Sequence, residues 1–320
     1  MDLQLFASPS NQQIIKKGAT LATGQTDGML NPEQSRKFMQ MVFDDSSFLG
    51  ELRHEMRVST KGTIEKIGVG RRVLRKKVEG QAPINDDLVE PVLSAVPYST
   101  TDIVVGAEIS EKFIRENIER EGFEDTFMGM IASQVRVDLL DLVFNGDTDA
   151  TGTDAAFLTI TDGYVKELGS GSHTLDASTF NGGNFTDDMF TGALKLLPTK
   201  YFNRQNYKWI ANTKTYLTWL EYLKQKETTA GDMAILNGQN LNPLGIQWKE
   251  VPNFPDGEII LADPKNLTVV NTYDIRLRKT TEGRDAVMKD MRYYAIHLDV
   301  DPIIMEKDAI VSIKNIPLSV

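Results

Sequence analysis

Asp147 and Asp149 stand two apart in a stretch rich in Asp, Thr, Gly and Ser, DTDATGTDAAFLTITDGYVKELGSGSHTLDASTFNGGNF (147–185). Carboxylates at that spacing open a calcium loop, where hard oxygen donors suit a divalent cation. The remaining ligands and the closing glutamate of such a loop are missing, so the stretch reads as a surface loop. The three histidines, His54, His173 and His297, lie far apart, and no pair has the spacing of a local metal site. Ser172-His173 sits in a Gly/Ser loop and reads as exposed. His297 lies in an alternating run and reads as a structural residue rather than a base. Gly68-Val69-Gly70 continues as Arg71-Arg72-Val73, without the third glycine of a dinucleotide loop, and no Gly-Lys-Thr/Ser phosphate motif occurs. There is no cysteine, hence no disulfide and no thiolate metal site. A site assembled from distant residues stays open, but nothing in the spacing argues for one. The expectation is no catalytic residue, no cofactor, no metal, and a protein that is not an enzyme.

Charge points elsewhere. The net charge is −10 and the isoelectric point about 5.0. That balance disfavours a nucleic-acid surface, because affinity for phosphate comes mostly from Lys and Arg. Yet Arg57, Lys61, Lys66, Arg71, Arg72, Arg75, Lys76 and Lys77 crowd one segment, followed by Asp86, Asp87 and Glu90. No aromatics interleave with these cations, so base stacking is not supported. Two readings remain: a solvated strand face, or a contact with an acidic surface of a second copy.

The elements that carry these residues follow from periodicity. The organising stretch runs from Glu108 to Asp147. Ser110 is placed as a helix N-cap, with Glu111 in the first turn, where the helix dipole favours it. Gly122 interrupts the pattern. Phe123, Phe127, Ile131, Val135, Leu139 and Val143 then recur every four residues, with Met130 and Leu142 beside them. From Phe123 to Phe144 this makes a rod of roughly 33 Å. Glu119, Glu121, Glu124, Asp125, Asp138 and Asp141 give it an acidic outer face.

Residues 1–31 are polar and bury too little to fold alone. They read as a disordered tail, or as an arm anchored on a neighbour by Leu5 and Phe6. Residues 56–106 read as a long hairpin, with β-rich runs Thr63–Val78 and Val92–Val105 around a Gly/Pro/Asn/Asp loop. Such a ribbon is marginal alone and needs something to lie on. From Phe185 onward helix and strand alternate, as in a compact α/β domain. Residues 290–316 are extended again and are expected to pair into a sheet beside the long helix. No run approaches transmembrane length. The opening MDLQLFASPS lacks the basic region and apolar core of a signal peptide.

In this order the parts resemble the major capsid proteins of tailed bacteriophages, with the Hong Kong ninety-seven type shell fold. The resemblance covers about 31–316. It rests on MDLQLFA at the start, EISEKFIREN leading into the long acidic helix, and VFNGD at its exit. MFTGALKLLPTKYFNRQNYKWIANTKTYLTWLEYLK and GIQWKEVPNFPDGEIILADPKNL carry the rest. No single motif is specific; their co-linear order carries the likeness.

The resemblance implies an α+β fold with an N-terminal arm (1–55), an extended hairpin loop (56–106), a peripheral domain on the spine helix (107–185 and 290–320) and an α/β axial domain (186–289). It also implies a structural protein that self-assembles into hexamers and pentamers of an icosahedral head enclosing double-stranded DNA. It would be located in the virion capsid after assembly in the host cytoplasm, with no membrane. The expected partners are further copies of the chain, a separate scaffolding protein (only a short arm precedes Pro32), a portal, and DNA held without sequence-specific binding. Leu5, Phe6, Arg71, Arg72, Arg75, Lys76, Lys77, Glu119, Glu121, Glu124 and Asp125 are the expected contact residues, and Gly122 the expected hinge. The hairpin lysines Lys76 and Lys77 carry no local feature of an activated cross-linking residue. Two alternatives remain: an encapsulin-type protein shell, which shares the fold, and a soluble acidic α/β enzyme.

Overall fold

The computed structural model describes residues 42, 48–69, 74, 76, 79, 90–116, 123–169, 173–180, 184–225 and 242–318, with the side chains of 115, 123 and 125 set aside. The helices of this part are α1 (Phe48–Glu51), α2 (Glu111–Glu116), α3 (Phe123–Asn145), α4 (Ala155–Leu158), α5 (Tyr164–Leu168), α6 (Asp188–Leu196), α7 (Thr213–Gln225) and α8 (Arg284–Lys289). The strands are β1 (Arg53–Met56), β2 (Lys61–Gly68), β3 (Val92–Ser99), β4 (Thr101–Ser110), β5 (Thr174–Asp176), β6 (Lys208–Ala211), β7 (Gln247–Glu250), β8 (Ile259–Ala262), β9 (Leu267–Asn271), β10 (Arg276–Thr280), β11 (Met291–Ile304) and β12 (Val311–Lys314).

Strand β11 is the longest and the hub. Its first part pairs antiparallel with β4, from Met291↔Ser110 to Val300↔Thr101, and with β10, from Arg276↔His297 to Thr280↔Tyr293. Its last part, Asp301–Ile304, pairs with β9, and β9 pairs in parallel with β1. The side chain of Asp299 closes the joint. It is fully buried and accepts the backbone N–H of Thr272 at 2.9–3.0 Å and that residue's hydroxyl. A buried carboxylate is tolerated when its lone pairs are met in this way.

Helix α3 lies on this sheet, with Phe127 against Tyr294 at 6.3 Å. Ser110 caps the preceding helix as expected: its Oγ accepts from Phe113 N at 3.2 Å. The apolar pattern of α3 is buried in its C-terminal half, through Val135, Leu139, Leu142, Val143 and Phe144. In the N-terminal half Phe127 and Ile131 are half-buried, and Met130 is exposed. The core therefore gathers at the C-terminal end of the helix. There Phe144 meets Phe48, Tyr164 and Phe254 at 5.9, 5.3 and 5.5 Å.

A second sheet has the order β5-β12-β8-β6-β7. Helices α6 and α7 cover it through a ring cluster in which Phe190 meets Trp209 and Trp219 at 5.0 and 5.2 Å. Asn212 caps α7, its Oδ1 accepting Thr215 N at 2.8 Å. Strands β6 to β9 and helices α6 and α7 fall close to where periodicity places them.

Two expectations are corrected. The expected hairpin strand Val92–Val105 is split at Thr100: β3 stays with β2, whereas β4 turns into the main sheet. The reason is burial. In β4 alternate residues face the helix side, whereas β3 is exposed along most of its length. Pro97 has no N–H to offer a second partner, which suits a strand paired on one side only. The sheets also do not divide at 185/186 and 289/290. β9 and β10 belong with β4 and β11, whereas β5 and β12 belong with β6–β8. Strand β12 returns to the second sheet because Val311, Ser312 and Ile313 are all buried, which the open edge beside β8 permits.

Candidate functional site

Nothing that could perform covalent chemistry converges among the described residues. Asp147 and Asp149 are drawn, with Asp162, around the ammonium of Lys166, at 2.6, 2.8 and 2.7 Å. The lysine thus occupies the position that a cation would take, and its own pKa is raised by these hydrogen bonds. His54 Nε2 lies 2.8 Å from Leu49 O, and burial lowers its pKa. A cavity of about 20 Å³ near His173, Glu167, Lys307 and Ser312 has room for a water molecule and none for a substrate. No helix among the described residues is long and apolar enough to cross a membrane.

What the structure does present is exposed apolar surface on a two-stranded ribbon. Strands β2 and β3 pair from Lys61↔Ser99 to Gly68↔Val92 as a two-stranded ribbon. Because side chains alternate, one ribbon face carries Ile64, Lys66, Val96 and Tyr98, and the other Ile67 and Leu93. The first face sits on the main sheet at its base: Ile64 and Tyr98 bury themselves against Val270, Ile303 and Met305. Lys66 donates to Met305 O and pairs with Glu306 at 3.2 Å. The second face is exposed: Ile67 to 75% and its cross-strand partner Leu93 to 68%. Leu74, farther along the segment, is exposed as well.

The far end of the main sheet presents another apolar point. Val287 and Met288 of α8 are both exposed, Met288 to 79%. The scaffold under them is tied by ions. Arg292 donates through Nε and, at 3.1 Å, Nη2 to Glu111, and through Nη1 to Glu124 at 3.0 Å. Lys279 also pairs with Glu124. One guanidinium thus joins α2, the first turn of α3 and β11, and its pKa is raised chiefly by the hydrogen bonds to Glu111. A further triad ties α1 to the second sheet, Glu51 meeting Lys208 at 2.6 Å and Lys249 at 2.7 Å.

Set against the sequence expectations, Glu124 is the informative residue. It was expected to receive the basic strand of a neighbour, but it already has two cations of its own chain. Asp141 of the same helix is also engaged, by Asn145 and Asn253. Lys76 is exposed. Leu5, Phe6, Arg71, Arg72, Arg75, Lys77, Glu119, Glu121 and Gly122 lie outside the described residues, as does the side chain of Asp125. Sequence reading placed Ile67 and Leu93 in the hairpin strands without marking them as exposed, and it did not name Val287 or Met288, because an apolar residue in a strand or short helix looks like core. It also passed over Arg276-Leu277-Arg278-Lys279, a second basic run in an acidic chain that was there to be seen.

No family model matches the chain. A protein named as a prophage capsid protein, YqbE of Bacillus subtilis (strain 168), is 29% identical over 320 residues, covering 96% of this chain and 99% of that protein. Among solved structures, the satellite phage P4 procapsid that includes the size determination protein aligns with a TM-score of 0.66 at 15% identity, over 96% of this chain and 98% of that one. The capsid of the empty GTA particle gives 0.57 at 14% identity over 85% and 90%. Gordonia phage Cozz gives 0.55 at 16% identity over 83% and 85%. At such identities the structural likeness establishes a shared fold over most of the chain.

Proposed function

We infer that this chain, a structural protein of the tailed-phage major capsid family with the Hong Kong ninety-seven type shell fold, builds hexamers and pentamers of an icosahedral head around double-stranded DNA. The observation that carries the assembly reading is the ribbon β2–β3, whose outer face exposes Ile67 and Leu93. A lone two-stranded ribbon is marginal in water. Seated on an adjacent subunit, this one buries those side chains and gains a support. The basic residues Arg71, Arg72, Arg75, Lys76 and Lys77 follow in the same segment and would meet carboxylates of that neighbour. Glu124 is a poor acceptor for them, since a third cation gains little from a carboxylate already neutralised. Glu119, Glu121 and Asp125, close to Glu124 in sequence, remain the candidates.

An N-terminal arm anchored by Leu5 and Phe6 would add a second link between subunits, and Gly122 would serve as a hinge at the start of α3. The net charge of −10 suits a lining from which DNA must leave. A separate scaffolding protein, a portal and assembly in the host cytoplasm complete the proposal. Electron microscopy of the purified full-length chain tests it: capsomers or closed shells are expected, and a product that stays a small oligomer under all assembly conditions overturns it.

A further inference from the structure

The ribbon leaves the main sheet at one point, and that point contains a carboxyl group in an uncomfortable place. Ser99 ends β3 and Thr101 begins β4. Between them Thr100 N donates to Thr60 O at 2.8 Å, holding the two ribbon strands together at their base. Ser99 N donates instead to Asp301 Oδ2 at 2.6 Å, and this bond fastens the ribbon base to β11. Asp301 also receives a hydrogen bond from the Thr161 side chain.

The surroundings of Asp301 are mostly acidic. Helix α5 and the loop before it supply Glu167 and Asp162, both of which oppose a charge on Asp301. They also supply Tyr164, whose buried hydroxyl has no hydrogen-bond partner among the described residues. Two cations stand behind these acids. Lys166 is 2.7 Å from Asp162, and Lys307 is 4.0 Å from Glu167. Across β9, Glu55 lies in register through Val270 and is paired with Arg53 and Arg57. Burial, first, and then these neighbouring acids push the Asp301 carboxyl up to about 6, and burial raises that of Glu167 as well.

We propose that Asp301 and Ser99 form an acid-sensitive latch at the ribbon base: protonation of the Asp301 carboxyl weakens its grip on the Ser99 amide and frees the ribbon to pivot, while the subunit body stays folded. The two effects have opposite signs. A hydrogen bond to an ionised acceptor is stronger than one to a neutral acid, so losing the charge loosens the ribbon. The same protonation removes repulsion among Asp301, Glu167 and Asp162, so the body gains stability. The ribbon does not detach, because Ile64, Tyr98 and Lys66 still hold it to the sheet. The latch belongs to the single subunit and stands whether or not the chain closes into shells.

Hydrogen exchange of the full-length chain, followed on a peptide spanning 96–103 and corrected for the intrinsic pH dependence, tests the latch. Protection should fall roughly fivefold as the pH is lowered, the difference between a charged and a neutral acceptor, with a midpoint near 6. Asp301→Asn should show the low protection at every pH, with no step. Glu167→Gln, which removes one opposing charge, should keep the step and move its midpoint to lower pH. A flat wild-type profile, a step that survives in Asp301→Asn, or an unmoved midpoint in Glu167→Gln overturns the proposal. If Asp301→Asn fails to fold, the wild-type step and the Glu167→Gln midpoint decide between latch and none.

Discussion

Gly163 donates its backbone N–H to the carbonyl of Gly146 at 2.7 Å, and neither residue has room for a side chain. A Cβ on Gly146 would stand 2.2 Å from Thr161 O, and one on Gly163 would stand 2.6 Å from Phe144 O. The end of α3 is thereby clamped to the start of α5, which is how Phe144 and Tyr164 come into edge contact. Since the obstructing atoms are backbone, they cannot swing aside. Gly146→Ala and Gly163→Ala should each cost about 1–3 kcal/mol, the usual range for overpacking. Gly129→Ala is the control: it lies inside α3 with nothing within 4 Å of its Cβ and should stabilise by up to about 1 kcal/mol. Chemical denaturation of the three variants measures this, and equal effects at 129 and 146 would contradict the clamp.

Arg292 should matter more than its place near the surface suggests. Its guanidinium meets Glu111 and Glu124 at once, and all three side chains are only 25–28% exposed. Arg292→Met leaves two carboxylates without that cation and should cost about 2–3 kcal/mol. Arg292→Lys keeps the charge without the planar fork and should fall between. Hydrogen exchange should show α2 opening before the core. A variant with α2 fully protected would show that the ion pairs are incidental.

Stability should pass through a maximum on acidification. Asp147 and Asp162 are held below their usual pKa, Asp147 chiefly by its hydrogen bond to Lys166 and Asp162 by hydrogen bonds to Lys166 and Thr148 that outweigh its burial. Their contribution is present above about 4, the unfolded carboxylate value, and is lost as pH falls below it. Asp301 has the opposite sign. Its folded form binds a proton more tightly than the unfolded chain, so stability rises as pH falls from about 6 towards the unfolded value. His54, whose pKa is lowered, works against this rise, but Asp301 carries the larger shift and Glu167 and Glu258 are raised with it. The melting midpoint should therefore climb from pH 7 to about 5 and drop below about 4. In Lys166→Met the three aspartates repel at neutral pH, so acid should help it further, without the drop that Lys166 causes. Parallel curves for variant and parent would remove Lys166 from the account.

The outer ribbon face should be dispensable to the subunit and necessary to assembly. Replacing Ile67 and Leu93 together by serine removes no buried contact, so folding stability should stay within roughly 0.5 kcal/mol, while particles should fail to form. Arg71→Glu with Arg72→Glu should likewise give folded subunits that do not close shells. Parent assembly should weaken with salt, because exposed pairs are screened. Light scattering during assembly at low and high salt reads both. Normal shells from both variants would leave the ribbon a solvated hairpin.

Much of this protein was legible from order and period. The four-residue recurrence from Phe127 to Val143 marked α3, Ser110 marked its neighbour's cap, and Asn212 marked the start of α7, because capping and amphipathic spacing are local properties of the chain. The absence of clustered histidine or cysteine was equally plain, while the expectation of a structural protein came with the resemblance. The co-linear order of weak motifs pointed to the shell fold that the comparisons support.

Partnership between distant strands was legible only in part: Met291–Ile304 does join a sheet beside the long helix, as expected, but which strands flank it was not. Nothing in Val92–Val105 says that the chain changes sheets at Thr100, since both halves have the same β-forming composition. Val311–Lys314 could have joined either sheet; it went to β8 and β5 because three consecutive buried residues need cover on both faces. Likewise Glu124 reads in sequence as one acid of the outer helix face, open to a neighbour's cations. Only the arrival of Arg292 and Lys279, more than 150 residues away, turned it into an internal ion pair. Local sequence sets which segments can be helix or strand. Which apolar face meets which, and which charge is neutralised from within, is decided by long-range packing, where the free energy depends on neighbours that no local window contains.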